Sequence, residues 1–190
     1  YYVGMIVDIN NQVSESDENN NYDYDSGRVR VYELPDLVPR TTSSSCSTPT
    51  TGTVGDYLTS SISIQYENDV SSTHGQSTGA FYWAMYLSTD STITTSDTQV
   101  GSDQYSSSLS SGSYRTDSLS SSTRIPSSMN AGTYYWGYIL DVDSDVDEAS
   151  ESNNARTCNQ ITLQEDLPDL EATSVSTSSS SAIMGDTITV

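Results

Sequence analysis

The sequence predicts an all-β chain whose central part is an antiparallel β-sandwich, and three observations carry this prediction. Apolar and polar residues alternate with a period of two along the middle of the chain, whereas helical periodicity is nearly absent. Polar and glycine-containing turns separate about six to eight such segments over roughly 130 residues, which is typical of a sandwich. One acidic phrase occurs twice, as "YYVGMIVDINNQVSESDENNN" from Tyr1 and as "YYWGYILDVDSDVDEASESNN" from Tyr134, which indicates repeated units.

Four segments have the strongest strand pattern: "YLTSSISIQYEN", "AFYWAMYLS", "TYYWGYILDV" and "RTCNQITLQ". The residues expected to face the core are, in chain order, Leu58, Ile62, Ile64, Tyr66, Phe81, Trp83, Met85, Leu87, Tyr134, Trp136, Tyr138, Leu140, Ile161 and Leu163. Weaker strands are expected around residues 41–46 and within the serine-rich residues 105–125. The two tryptophans lie on two different predicted strands, so we expect them to fill the middle of the sandwich.

The repeated phrase predicts how the chain divides into units. A shift of 133 positions aligns ten identical residues of the two copies and also lays Leu34–Leu37 on Leu167–Leu170. Gly55-Asp56 recurs as Gly185-Asp186, at a shift of about 130 positions, which is three fewer than the shift of the other matches. We therefore expect the last strands of a preceding repeat in residues 1–33, a complete domain in 34–165 and the first strands of a following repeat in 166–190. Pro35, Pro39 and Pro168 mark the boundaries between units, where Leu-Pro-Asp-Leu is expected to form a short, stiff linker.

Two accounts of the partial repeats stay open. In the first, the chain is a window of a longer protein with tandem repeats. In the second, neighbouring copies of the chain donate strands to each other, as in donor-strand complementation, and build a fibre. Both accounts predict an elongated assembly of copies of this unit, in tandem or head to tail.

Charge and composition restrict the partners of the chain. The net charge is -20, the pI is about 4.1, and all six basic residues are arginines. Nucleic acid is therefore not an expected partner, whereas divalent cations are. No apolar run of about 18 residues is present, so no membrane-spanning segment is predicted. Serine and threonine make up about a third of the residues and offer many hydroxyls for O-linked sugars.

The two cysteines, Cys46 and Cys158, lie near the two ends of the complete unit. The partial repeats have no cysteine at the matching positions, so a disulfide within this unit is the simplest pairing, with two free buried thiols as the alternative. A disulfide favours an oxidising, extracellular location.

The acidic phrase predicts a calcium site. Carboxylates at i, i+2 and i+4 fall on one side of an extended chain, and a turn after the strand brings a further acid back toward them. Ca²⁺ prefers six to eight oxygen ligands, which carboxylates, amides and carbonyls supply. The candidate ligands are Asp141, Asp143, Asp145 and Glu148 in the second copy and Asp8, Asn10 and Glu15 in the first. The alternative is a solvated acidic hairpin without a metal.

The acidic segments were also compared with other kinds of site and turn. An EF-hand is excluded, because Val146 stands where its loop needs glycine and Ser152 where it needs glutamate. Asp90 and Asp97 form a second, weaker candidate for metal binding. The paired asparagines Asn153 and Asn154 (Asn20 and Asn21 in the first copy) are expected to shape the turn, since asparagine accepts left-handed backbone.

No catalytic site is predicted. His74 is the single histidine, it lies in the polar loop "SSTHGQS", and no Gly-x-Ser-x-Gly motif accompanies it. Tyrosines on predicted strands, among them Tyr82, Tyr86 and Tyr135, could form a platform for sugars if they shared one exposed flat face. Packing within the sheet is the alternative for these side chains.

The middle of the chain resembles a known family. The stretches "LPDLVP", "GDYLTSSISIQYEN", "YLSTDSTITTSDTQVGS", "SLSSGS", "IPSSMNAGTYYWGYILDVDSDVDEASESNN" and the closing "ITL" resemble, in this order, the CARDB module, a cell-adhesion-related domain found in bacteria. The resemblance implies an immunoglobulin-like or fibronectin-III-like sandwich in tandem copies on secreted or cell-surface proteins, without catalytic residues. The cysteine pair and the insertion "TSSSCSTPTTGT" depart from the family pattern.

These observations favour a non-catalytic, extracellular structural or adhesive repeat protein. Such a protein forms a segment of a surface stalk or filament, with junctions that Ca²⁺ stiffens, and its partners are copies of itself and surface glycans or proteins. The alternative is a carbohydrate-binding or accessory module of a larger secreted enzyme.

Overall fold

All regular structure in the described residues is β-strand. The structure is a computed structural model that describes residues 1–168, 170–176, 180–185 and 187. The strands are β1 (Tyr2–Ile6), β2 (Tyr22–Arg28), β3 (Leu37–Pro39), β4 (Cys46–Ser47), β5 (Thr51–Thr53), β6 (Ile62–Asn68), β7 (Phe81–Ser88), β8 (Thr98–Gln99), β9 (Gln104–Ser106), β10 (Tyr114–Leu119), β11 (Gly132–Leu140) and β12 (Ala155–Gln164).

Two sheets form the body of residues 34–165. One has the order β10-β6-β3, with β4 also paired to β6. The other has the order β5-β12-β11-β7-β8, with β9 also paired to β7. All of these pairings are antiparallel except that of β5 with β12. The predicted immunoglobulin-like antiparallel sandwich is therefore confirmed.

The core lies between these two sheets, and its members follow the alternation of the sequence. Trp83 and Trp136 are fully buried in it, as predicted. Two core side chains also bond across to the opposite segment: the Trp136 indole N–H donates to the Pro49 carbonyl (2.9 Å), and the Tyr138 hydroxyl donates to the Gln65 carbonyl (2.8 Å). The polar tips of Trp136 and Tyr138 thus have partners, whereas the indole N–H of Trp83 is buried without one among the described residues.

A disulfide joins the two sheets. Cys46 of β4 is bonded to Cys158 of β12, across a sequence separation of 112 residues. This pairing confirms the prediction from the sequence, and the described residues contain no free cysteine.

The hairpin of β1 and β2 repeats the pairing of β11 and β12. Gly4, Met5 and Ile6 pair with Tyr24, Asp23 and Tyr22, just as Gly137, Tyr138 and Ile139 pair with Thr157, Arg156 and Ala155. The ladder is irregular at the same place in both hairpins, directly before the glycine. Residues 166–168, 170–176, 180–185 and 187 contain no strand, and Asp169 and Asp186 of the repeated Leu-Pro-Asp-Leu and Gly-Asp sequences lie outside the described residues.

Candidate metal centre

The site begins where β11 ends. Asp141 follows the last residue of that strand, has a φ of 47° and is buried. One of its carboxylate oxygens accepts a hydrogen bond from the Asp145 N–H and the other from the Val146 N–H, each at 3.0 Å. Aspartate tolerates the left-handed region and bonds its own turn, which explains why this residue type ends the strand here. The buried side chain of Val146 anchors the turn to the core.

Glu148 is the second buried acid of this loop. One oxygen of its carboxylate accepts a hydrogen bond from the Asn154 side-chain amide (2.8 Å), and the other accepts one from the backbone N–H of Leu37. The Glu148 N–H donates to the Glu151 carboxylate (2.8 Å). The loop therefore fixes the orientation of both glutamates.

Three carboxylates converge in this loop. Oxygens of Asp141, Glu148 and Glu151 all lie within 4.8 Å of one another, with the first two residues buried and the third exposed. Burial raises the pKa of Asp141, and it raises the pKa of Glu148 to about 7. The negative charges of neighbouring acids raise both pKa values further. A cation among these oxygens would offset both the desolvation and the repulsion.

A buried side-chain oxygen without a hydrogen-bond partner also indicates a bound cation. Asn154 is 8% exposed, and its side-chain oxygen has no hydrogen-bond partner among the described residues. Asn154, Asp141 and Glu151 line one cavity of about 330 Å³. An unpaired amide oxygen is costly to bury, but it is a good ligand for a hard cation. The donor set therefore fits a divalent metal ion bound by oxygen.

The structure brings together only part of the predicted ligand set. Asp141 and Glu148 meet, while Asp143 and Asp145 are exposed and stand outside the three-acid group. The prediction placed Asp141, Asp143 and Asp145 on one side of an extended chain. The backbone instead turns at Asp141, which has a positive φ. Glu151 was missed, although its counterpart Glu18 is one of the identical residues of the repeated phrase.

The weaker candidate pair does not join the site. Asp90 accepts a hydrogen bond from the Thr92 N–H and Asp97 from the Thr94 N–H, each at 2.7 Å, so each aspartate stabilises its own turn.

The first copy of the acidic phrase has the same internal geometry. Asp8 has a φ of 46°, and its carboxylate accepts hydrogen bonds from the N–H groups of Gln12 (2.7 Å) and Val13 (2.9 Å). The Glu15 N–H donates to Glu18 (2.9 Å), as Glu148 donates to Glu151. Here, however, Glu15 is exposed, and Asn10 is exposed as well. The local conformation of the loop is thus encoded by the phrase itself, whereas the burial of its glutamate is not.

The segment that enters the complete unit is bonded to the acidic loop. The Pro35 carbonyl accepts a hydrogen bond from the Ala149 N–H (2.8 Å), and the Asp36 carboxylate accepts one from the Asn153 side chain (2.9 Å). Together with the bond from Leu37 to Glu148, three consecutive residues are thus bonded to residues 148–153. Leu-Pro-Asp-Leu is therefore built into the unit, and β3 starts at its last residue.

The residue before this segment is bonded to a second loop. Glu33 forms a parallel bridge with Gly75; its N–H donates to the His74 carbonyl and its carbonyl accepts from the Gln76 N–H, each at 3.0 Å. The side chain of His74 is exposed, while its backbone N–H donates to the Ser71 carbonyl and its carbonyl accepts from the Glu33 N–H.

The tyrosines do not share a flat exposed face. Tyr86 is buried, Tyr135 is half-buried, and Tyr82 is 37% exposed. The ring of Tyr82 stands at 68° to that of its neighbour Tyr105, an edge-to-face contact. Stacking on a sugar needs a flat platform, so this pair gives the sugar-binding alternative little support.

Comparison with known proteins identifies the family to which the central part of the chain belongs. The family model of CARDB matches residues 34–158. Among solved structures, the CARDB domain of a Pyrococcus furiosus protein in complex with di-metal ions is similar at 18% identity and a TM-score of 0.46, over 75% of this chain and 99% of that one. A domain of a proposed cell surface protein of Methanosarcina acetivorans is similar at 19% identity and a TM-score of 0.45, over 69% and 93% of the two chains. A search of curated proteins finds no match.

The part of the chain that the structure describes contains no helix of the length and apolarity that crossing a bilayer requires.

Proposed function

Because the chain belongs to the CARDB family, a family of cell-surface-associated domains, we propose that it is a non-catalytic, extracellular structural or adhesive protein made of tandem sandwich units. Each unit holds the segment through which the chain enters it, so that successive units keep a fixed orientation in a stalk or filament. The partners are further copies of the unit and the surface glycans or proteins that such a stalk contacts. The disulfide between Cys46 and Cys158 supports an extracellular location.

The observation that carries the proposal is the hydrogen bonding of residues 33–37. Glu33 is bonded to the loop of residues 74–76, and Pro35, Asp36 and Leu37 are bonded to the acidic loop. Pro35 and Leu37 are also buried. A flexible tether would leave its backbone groups to water, whereas these groups bond to the unit and restrict its motion relative to what precedes it.

The acidic loop to which this segment is bonded also contains the candidate metal site. We propose that Ca²⁺ binds to Asp141, Glu148, Glu151 and the free side-chain oxygen of Asn154, with water completing the shell. Hard oxygen donors and an irregular loop suit Ca²⁺ better than the strict octahedron that Mg²⁺ prefers. Because Glu148 also accepts the Leu37 N–H, a bound ion would fix the same side chain that holds the entering segment.

Calorimetric titration of Ca²⁺ into the EDTA-treated chain tests the metal-binding part of this proposal. Glu151→Gln keeps an oxygen for the Glu148 N–H but removes the charge, so we expect affinity to fall at least tenfold. Asp143→Asn is the matched control, since Asp143 is an exposed acid of the same loop outside the group, and it should leave affinity within about twofold. Loss of binding in Asp143→Asn with none in Glu151→Gln would contradict the site. No heat with any divalent ion would contradict metal binding.

A further inference from the structure

One sheet face of the described chain is apolar and uncovered. On β1 and just after it, Val3, Met5 and Val7 are 59%, 66% and 50% exposed. The residues 133 positions later, Trp136, Tyr138 and Leu140, are each 0% exposed and belong to the core of the complete unit. The alternation that places apolar residues of β11 in the core of the complete unit thus leaves the apolar face of the β1–β2 hairpin exposed to solvent.

The residue directly after β2 continues this face. The Val29 N–H donates to the Tyr1 carbonyl (2.9 Å), which places Val29 opposite Tyr1, as Ile161 is opposite Tyr134. Val29 is exposed, whereas Ile161 is buried. In the loop, Val13 is exposed, whereas its counterpart Val146 is buried.

The hairpin already has the conformation of a hairpin that packs against a second sheet. Its pairing from Gly4 to Ile6 and the turn of Asp8 match those of β11, β12 and Asp141, and the ladder irregularity lies before the glycine in both hairpins, one residue longer on β2 than on β12. The Val7 N–H also donates to the Asn21 carbonyl, as the Leu140 N–H donates to Asn154, each at 2.9 Å. Five apolar side chains, those of Val3, Met5, Val7, Val13 and Val29, therefore stand at positions whose counterparts are buried elsewhere in the chain.

We propose that this face is half of the core of a second sandwich, and that it binds the front part of another unit of the kind formed by residues 34–133. In the complete unit that part supplies every element opposite the hairpin, including the Pro49 and Gln65 carbonyls bonded to Trp136 and Tyr138. It also supplies β5, the parallel neighbour of β12, and Leu37, whose N–H is bonded to Glu148. Glu15 of the hairpin is exposed in the absence of such a segment.

Charge argues against a second hairpin as the occupant. Counted from the residue that pairs with the glycine, Asp23 and Asp25 correspond to Arg156 and Cys158, whose side chains contact Ser45 and Cys46. Two hairpins packed face to face would bring four of these carboxylates together in a poorly solvated interface, which is unfavourable. A unit like residues 34–133 instead presents a hydroxyl and a thiol there.

The test adds a second copy of residues 34–133 directly before Tyr1 of the full chain, which restores the spacing of the complete unit. In this extended chain, Asp25→Cys places a thiol where Cys158 stands. We expect the thiol at position 25 to form a disulfide with Cys46 of the added segment in most molecules, without a catalyst of thiol–disulfide exchange. Tyr24→Cys is the control, because Tyr24 lies on the other face, against Tyr2. Peptide mapping after proteolysis identifies the linked pair.

Hydrogen exchange gives a second readout. The added segment should slow exchange of the Met5 and Val7 amides by at least a hundredfold, and Val3→Asp should abolish the slowing. The proposal fails if D25C crosslinks no more than Y24C and the amides are unaffected. It also fails if the chain without the extension is a dimer that Val3→Asp dissociates, since a second hairpin then covers the face. The proposal rests on the tandem arrangement proposed above but not on metal, so a chain that binds no Ca²⁺ can still pass this test.

Discussion

The carboxylate of Glu148 accepts the backbone N–H of Leu37, a residue 111 positions earlier in the chain. This bond joins the start of the complete unit to the loop between its last two strands. The same carboxylate is one of the three that converge with Asp141 and Glu151. Attachment of the entering segment and the candidate metal centre thus share one side chain.

Removal of this side chain should release the entering segment. Glu148→Ala leaves the Leu37 N–H and the Asn154 amide without their acceptor, and a buried unpaired donor costs about 1–3 kcal/mol. We expect the free energy of unfolding in urea to fall by about 2–4 kcal/mol in total. Asp147→Ala, at an exposed position one residue earlier, should change it by less than about 0.5 kcal/mol. Equal effects of the two substitutions would contradict the role of Glu148.

The stability of the metal-free chain should depend on pH through Glu148. Burial raises the pKa of this carboxyl to about 7 in the folded state, from 4.5 in the unfolded state. The proton is therefore bound more tightly by the folded chain, so its contribution to stability is fully present below pH 4.5 and is lost as the pH rises through about 7. In EDTA, the melting temperature should rise as the pH falls from 8 to 5.

Glu148→Gln isolates this contribution, because the chain carries many other acids whose repulsion also changes with pH. The melting temperature of Glu148→Gln should rise less than that of the natural chain over the same range. Parallel curves for the two proteins would show that the pKa of Glu148 is not shifted by folding.

The fold could be predicted almost entirely from local pattern. Strand β6 buries every second residue, and alternation with period two shows this directly in the sequence, whereas β7 buries all of its residues except Tyr82. The disulfide could be predicted because the chain has only two cysteines, both within the complete unit. Burial of Tyr86 was not indicated by alternation, because it depends on Ile93, which covers the outer face of β7.

The candidate site could be predicted only in part, because its geometry is not local. Asp141 and Glu148 stand out as acids of a repeated phrase, but spacing alone could not show that the backbone turns at Asp141. That turn moves Asp143 away from the group and brings in Glu151. The contact with Leu37 depends on tertiary packing across more than a hundred residues, which no motif reports.

The disulfide should contribute substantially to stability. It closes a loop with a sequence separation of 112 residues, for which the loop-entropy model gives about 4–5 kcal/mol. Cys46→Ser with Cys158→Ser should lower the free energy of unfolding by about 3–5 kcal/mol, measured in urea without reductant. Adding reductant to the natural chain should give a similar loss and should not affect the double variant. A loss under about 1 kcal/mol would show that the two sheets hold together without the bridge.

Gly137 of β11 should not tolerate a side chain. A Cβ at this position would lie 2.1 Å from Ile93 Cγ1 and 2.7 Å from the Arg156 carbonyl oxygen, which belongs to backbone. Gly137→Ala should therefore destabilise the unit by about 1–3 kcal/mol through overpacking. Gly79→Ala is the matched control, because the nearest atom to its Cβ is 4.0 Å away. Equal melting temperatures of the two variants would contradict the placement of Ile93 over β11.

The most direct measurement of the central claim is amide hydrogen exchange at Glu33, Asp36 and Leu37, with saturating Ca²⁺ and again in EDTA. These are the backbone N–H groups through which the entering segment is bonded to the unit. We predict that with Ca²⁺ they exchange as slowly as amides of β6, and that in EDTA the exchange of Leu37 accelerates at least tenfold. Exchange at the rate of an unstructured peptide under both conditions would contradict the claim that each unit holds its entering segment in place.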